Sequence, residues 1–325
     1  MSAIRLGTRA STLATTQSEM VAGLLRSEGL DVNLTTITTH GDTSTASLAA
    51  MGGIGVFASA IRAALLEGEA DIAVHSFKDL PTGRPLGLAI GAVPARADPR
   101  DALVARDGLT LHDLPQEASV GTGSPRRAAQ LLAVRPDLTI VDIRGNVDTR
   151  LGRVKGLGHY AKGGGKEDLD AVVLAASGLA RLGHSGTVTE FLDPSVVLPA
   201  PAQGALAVEC RTADSRHGKL AKALARIDDR RTRLAATAER AVLSHLEAGC
   251  AAPIGALAQL KPVSGSSPQV LTLDVVVATV DGSRIIREQV SVELPAEVDS
   301  ALAAAHTLGV TAAEELLDDG AADVA

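Results

Sequence analysis

Aromatic side chains are almost missing: Phe57, Phe77, Phe191 and Tyr160 make up 1% of the sequence, and there is no tryptophan. Stacking platforms for bases or sugars are therefore poorly supplied. Cysteine is nearly as scarce. Cys210 and Cys250 lie far apart in different contexts, which argues against a disulfide framework and fits a reducing cytoplasm. No run of about 18 apolar residues offers a bilayer span, and Met1-Ser2-Ala3-Ile4-Arg5 lacks the apolar stretch of a signal peptide. The expectation is a cytoplasmic protein with no membrane partner. Positive charge is not in excess either, the net charge being -7, so nucleic acid is not an expected partner and a polyanionic ligand must be met by a local basic cluster.

What is present is an ordinary globular composition, 46% hydrophobic and 21% charged over 325 residues, enough for two or three domains with their own cores and no need of a metal. The first two-thirds alternate strand-like and helix-like segments. Ile4 to Thr8 reads as a strand, Ser11 to Arg26 as a helix, Asp31 to Thr39 as a strand, Phe57 to Glu67 as a helix, and Ala70 to His75 as a buried strand. The pattern restarts with Ser119 to Gly121, a helix from Ser124 to Val134, a strand from Leu138 to Ile143, a helix from Asn146 and a strand from Asp170 to Ala175. Gly156 to Asp168, with Gly163-Gly164-Gly165 among charges, reads as a mobile surface insertion. From Asp228 a long amphipathic helix reaches His245, followed by strands near 254–260, 271–280 and 285–294, the last two flanking the hairpin signal Asp281-Gly282. A terminal helix follows from about Pro295. The strand-like Ala205 to Cys210 lies where the chain crosses back to the first lobe.

Three times a strand enters a helix through a turn carrying arginine beside a capping residue: Arg9 with Ser11, Ser124-Pro125 with Arg126 and Arg127, and Arg144 with Asn146 and Arg150. Free N–H groups and a partial positive charge at helix starts, with guanidinium added, make carboxylate or phosphate sites. Arg126 and Arg127 repel each other and the helix dipole, an arrangement that calls for an anion. Singly, each arginine reads equally well as a solvated or locally paired surface charge. Lys78 and Asp79 sit at the carboxyl end of a buried strand, suited either to proton transfer and cation stabilisation or to a local ion pair. Cys210 reads as a small buried hydrophobe, whereas Cys250, between Gly249 and Pro253, reads as an accessible loop thiol.

Thr8-Arg9-Ala10-Ser11, the His75 to Pro81 segment, Gly121 to Arg127, Asp142 to Val147, Gln203-Gly204-Ala205 and Gly249 to Gly255 together resemble the hydroxymethylbilane synthase (porphobilinogen deaminase) family in order and spacing. The resemblance implies a transferase that condenses four porphobilinogens head to tail with loss of ammonia, giving hydroxymethylbilane for haem and other porphyrins. It also implies a dipyrromethane cofactor in thioether linkage to Cys250. Asp79 would hold the pyrrole nitrogens, assist ammonia loss and act as the catalytic residue. By the same resemblance Lys78, Thr122, Ser124, Arg126, Arg127 and Arg144 contact the cofactor, and Arg9, Ser11, Arg144, Arg150, Arg181 and Gln203 the substrate. On that reading, replacing Arg126 or Arg127 harms ligand handling far more than stability. Three positions depart from the family pattern: Ile54 and Ser59 stand where relatives carry lysines, and Ala202 where glycine is usual.

The expected architecture is α/β: two periplasmic-binding-protein-like lobes, residues 1–97 with 203–224 and residues 98–202, plus a third α+β domain, residues 225–325, that carries the cofactor. A monomer acting on a small molecule is expected. The rivals are a two-lobed anion-binding protein without catalysis and a phosphate-ester transferase, although the glycine spacing matches no phosphate loop.

Overall fold

The computed structural model describes residues 3–37, 55–83, 85–246, 253–261 and 269–324. Cys250, Ile54 and most of the 41–55 loop lie outside the described residues. In chain order the strands are β1 (Ile4–Thr8), β2 (Val32–Thr36), β3 (Ile72–Ser76), β4 (Leu88–Ala92), β5 (Asp101–Ala105), β6 (Ser119–Gly121) and β7 (Thr139–Val141). Then follow β8 (Ala171–Ala175), β9 (Glu190–Phe191), β10 (Leu206–Arg211), β11 (Ile254–Leu260), β12 (Gln269–Ala278) and β13 (Ile285–Leu294). The helices are α1 (Thr12–Ser27), α2 (Gly55–Leu66), α3 (Pro125–Val134), α4 (Val147–Leu151), α5 (Ala176–Arg181), α6 (Gly218–Ile227), α7 (Arg230–His245) and α8 (Val298–Asp318).

The described residues are mixed α/β with three sheets. It divides into two compact units, residues 1–97 with 205–236 and residues 98–204 with 237–325. In the first unit the strand order is β2-β1-β3-β10-β4; β1 runs parallel to β2 and β3, and β10 runs antiparallel to β3 and β4. The apolar runs predict this placement, since strands covered on both faces have no polar side to turn outward. Leu6, Ile72, Val208 and Cys210 are fully enclosed with Val21 and Leu25 of α1, each large aliphatic side chain contributing about 1.5–3 kcal/mol by leaving water. Burial pushes the Cys210 thiol up to about 11, so it behaves as the expected buried hydrophobe.

The second unit repeats the plan. Its sheet runs β7-β6-β8-β5-β9, with β6 parallel to β7 and β8, and β5 antiparallel to β8 and β9. The same unit holds the antiparallel meander β11-β12-β13, against which α8 packs. Helices α8 and α7 cross closely at Gly309, where a Cβ would stand 2.2 Å from the carbonyl oxygen of Ala238.

The Gly156 to Asp168 segment is not the loose insertion its composition suggests. Gly158 N–H donates to the Glu167 carboxylate at 2.8 Å and Gly165 N–H to the Gly158 carbonyl at 2.9 Å. A Cβ on Gly165 would lie 1.7 Å from the Gly152 carbonyl oxygen. Glycine is there for close backbone approach, which sequence composition does not distinguish from flexibility.

Candidate active site

In the first lobe, β3 runs into a single 3-10 turn, Phe77–Asp79, because Pro81 halts any longer helix. Phe77 is buried and its N–H donates to the Ala205 carbonyl at 3.0 Å, anchoring the turn. Lys78 is left half-buried and Asp79 exposed. Among the described residues no group hydrogen-bonds the Asp79 carboxylate. Nearby, Ser11 caps α1 by accepting from Ala14 N–H at 3.3 Å, and Gln17 of that helix donates to Ser76 Oγ at 2.9 Å. The start of α1, with half-buried Arg9, is thereby fixed beside the end of β3 that carries Lys78 and Asp79. Upstream, His75 Nε2 lies 3.3 Å from Glu209 Oε2 without the alignment of a hydrogen bond, while Arg62 pairs with the same carboxylate at 3.0 Å.

In the second unit, β6 delivers Thr122 and Ser124 to the start of α3. Thr122 is buried, its N–H donating to the Val141 carbonyl at 3.0 Å and its hydroxyl accepting from Ser124 N–H at 3.2 Å. Ser124 occupies the cap position and Pro125 the first turn, as expected, but the Ser124 side chain makes no capping bond.

The anion demanded by adjacent Arg126 and Arg127 is part of the protein. Asp101, fully enclosed at the head of β5, accepts from Arg126 Nη2 at 2.8 Å, from Arg127 Nε and Nη2 at 2.9 and 2.7 Å, and from Gln203 Nε2 at 2.8 Å. Arg126 also donates to the Leu198 carbonyl at 2.5 Å and Arg127 to the Val173 carbonyl at 3.1 Å. Burial pushes the Asp101 carboxyl up, but the two guanidinium groups outweigh it and hold the group well below the usual carboxylate range. Both arginines are themselves buried, 3% and 6% exposed. Their removal therefore strikes at stability, where the sequence expectation put the harm far more on ligand handling.

The other basic residues are differently placed. Arg144 is exposed and meets exposed Asp142 at 3.2 Å, a pair of little energetic weight. Asn146 caps the short helix α4, accepting from Thr149 N–H at 2.8 Å, and Arg150 near its end donates to the Gly145 carbonyl at 2.9 Å. Burial, then the like charges of Arg127 and Arg144, pull the Arg150 guanidinium below its ordinary value, opposed by Asp142. Burial alone does the same to Arg181, whose Nη2 donates to the Gly204 carbonyl at 2.7 Å. The Nε groups of Arg126 and Arg181 are buried with no hydrogen-bond partner among the described residues. Five desolvated or mutually repelling guanidinium groups, those of Arg126, Arg127, Arg144, Arg150 and Arg181, two of them with idle donors, can hold an anion carrying several carboxylates. Gln203 is fully enclosed, its amide given to the Pro99 carbonyl and Asp101.

Asp101 itself escaped sequence reasoning. Its signal is an acid opening the continuous apolar run Ala102-Leu103-Val104-Ala105, a place where a carboxylate survives only if paired.

The family model described as "Porphobilinogen deaminase, dipyromethane cofactor binding domain" matches residues 4–219, and the one described as "Porphobilinogen deaminase, C-terminal domain" matches residues 233–318. A porphobilinogen deaminase of Cutibacterium acnes is 97% identical over 325 residues, covering 100% of this chain and 97% of that protein. The porphobilinogen deaminase of Micrococcus luteus is 52% identical, covering 99% of this chain and 94% of that protein. Among solved structures, apo YehZ from Escherichia coli matches with a TM-score of 0.41 at 14% identity, covering 70% of this chain and 86% of that chain, a likeness too loose to bear on function. Two family models spanning most of the sequence, and near-identity along its whole length, agree with the motifs and the cationic site: this chain belongs to the porphobilinogen deaminase family.

Proposed function

We infer that the chain is a hydroxymethylbilane synthase, converting four porphobilinogens and one water into linear hydroxymethylbilane and four ammonia molecules. The observation that carries this reading beyond family membership is the cluster of Arg126, Arg127, Arg144 and Arg150, in which the like charges of Arg127 and Arg144 bear on Arg150 and the buried carboxylate of Asp101 bonds the first pair, while among the described residues no enclosed anion meets the other two. Porphobilinogen carries two carboxylates per ring, so each addition brings two more anions to such a site. A two-lobed binding protein would use the same arginines, but it has no need of the exposed Asp79 carboxylate.

The residues fit a dipyrromethane group, since the idle Nε donor of Arg181 and the crowded Arg150 suit its several carboxylates. When bound, that group supplies a covalent anchor and the free pyrrole carbon at which the chain grows. Arg144, Arg150 and Arg181, with Thr122 and Ser124, bind carboxylates directly, while Arg126 and Arg127, tied to Asp101, supply fixed positive charge behind them. In the first lobe Asp79 accepts pyrrole N–H groups and balances the positive charge that develops as ammonia leaves, while Lys78, Arg9 and Ser11 hold carboxylates. We assign the attachment to Cys250, and divide the chain into two lobes and a third domain from residue 225 that presents this thiol. The reading needs no nucleic acid, metal or membrane: among the described residues no helix is long and apolar enough to cross one. It places a monomer in the cytoplasm.

Intact mass spectrometry tests it. Purified protein is expected to exceed its sequence mass by two porphobilinogen-derived units, mapping to Cys250 and not to Cys210, and Cys250→Ala is expected to fold without the adduct. Active protein at bare sequence mass under conditions that preserve thioethers refutes the reading.

A further inference from the structure

The segment joining the second lobe to β10 contains a tight turn from Ala200 to Gln203, closed by Gln203 N–H donating to the Ala200 carbonyl at 2.9 Å. Pro201 stands at its second position and Ala202 at its third, with φ of +60°. Proline followed by a residue of positive φ is the pattern of a type II turn, which ordinarily takes glycine at the third position. Ala202 instead carries a Cβ in the left-handed region, in a site with no solvent exposure.

Something must hold that conformation. Glu239 of α7 is also fully enclosed; its Oε2 accepts from Ala202 N–H at 2.5 Å and its Oε1 from Ala258 N–H of β11 at 2.8 Å. A carboxylate accepting a backbone N–H in a dry site makes a strong, short hydrogen bond. The residues that follow Ala202 carry the consequence. Gln203 reaches Asp101 and lies 3.5 Å from Arg127 Nη2, and the Gly204 carbonyl receives Arg181. One turn therefore aims two guanidinium groups of the anion site.

We propose that Glu239 is a positioning residue for the carboxylate-binding site: by clamping the Ala202 amide it keeps a strained turn in the register that sets Gln203 against Asp101 and Gly204 against Arg181. This rests on the reading of the site as a porphobilinogen site. A glycine at 202 would adopt the turn without the clamp, whereas alanine depends on it.

The test compares wild type with Glu239→Gln, Ala202→Gly and the double variant. Glutamine keeps the shape of Glu239 but turns an NH2 group toward one of the two amides. Glu239→Gln is expected to raise the KM for porphobilinogen on the order of tenfold with a smaller change in kcat, and to speed amide hydrogen exchange at Ala202 and Gln203. Adding Ala202→Gly is expected to restore most of the KM and the slow exchange. A merely structural role for Glu239 predicts lower thermal stability without selective rescue from position 202. The proposal is overturned if Glu239→Gln leaves KM and exchange at wild-type values, or if the double variant is no better than the single one. Exchange reports on the clamp whatever the ligand, so a failure of the functional reading shows separately, as wild-type protein that takes up no porphobilinogen.

Discussion

Replacing Asp101 with asparagine removes one negative charge and almost no volume from the centre of the second unit. Four N–H groups point at that carboxylate, and the two guanidinium groups among their owners are 3% and 6% exposed. Asparagine retains one acceptor oxygen but sets an NH2 group against a cation. Breaking a buried ion pair from one side costs about 3–5 kcal/mol, because the partner charge stays desolvated. For a unit of this size each kcal/mol lowers Tm by about 2–4 °C, so the expected fall is about 6–20 °C. Differential scanning calorimetry near neutral pH measures it, with Arg144→Gln as the contrast. Arg144 and Asp142 have side chains 57% and 63% exposed, and such a pair is worth about 0–1 kcal/mol. A Tm of Asp101→Asn equal to that of Arg144→Gln refutes the account of Asp101 as the counter-ion that makes adjacent buried arginines tolerable.

Asp79→Asn is expected to fold normally and lose turnover by several kcal/mol of transition-state stabilisation, since the amide keeps the shape and abolishes the charge; near-normal steady-state rates in a folded variant remove Asp79 from the chemistry. Acid sensitivity follows from Asp71, where burial raises the carboxyl but hydrogen bonds from Arg5 and Arg211 prevail and lower it from 3.8 to about 2. A depressed folded pKa stabilises above the unfolded value and is lost as pH falls through the folded one, so this contribution is expected to fade between about pH 4 and pH 2. Asp71→Asn flattens that part of an equilibrium unfolding curve against pH, and an unchanged slope counts against the pairing.

The elements legible in the sequence are those whose cause is local. Continuous apolar runs gave β3 and β8, the caps Ser11, Ser124 and Asn146 marked helix starts, and Asp281-Gly282 joined β12 to β13. Strands β4 and β5 carry apolar runs, Leu88 to Ala92 and Ala102 to Ala105, that the sequence reading leaves unassigned, and β9 is only two residues long and settles into its sheet through β5. The site divides along the same line. Arginine beside a cap is a local pattern and was visible; what each arginine meets is not. Asp101 lies 25 residues from Arg126 and 102 from Gln203, and the clamp from Glu239 spans 37. Conversely, the glycines of residues 156–168 were visible and misleading, because Gly165 is required by the Gly152 carbonyl packed against it and Gly156, Gly163 and Gly164 by their positive φ.

The position of β10 bears on how the protein can be made. In its sheet β4 is bonded to β10 alone, and β10 does not begin until Leu206. At roughly 5–20 residues per second, a ribosome that has finished β4 needs on the order of ten seconds to deliver its partner. During that interval the edge of β3 that β10 will cover has no strand in place, and Ala92 lacks Val208, Ala223 and Leu224, which later complete its cluster. The second lobe has no such wait, since all five strands of its sheet lie between Asp101 and Phe191. The lobe translated first is thus the one completed last, and the order of assembly along this polypeptide runs against the order of its synthesis.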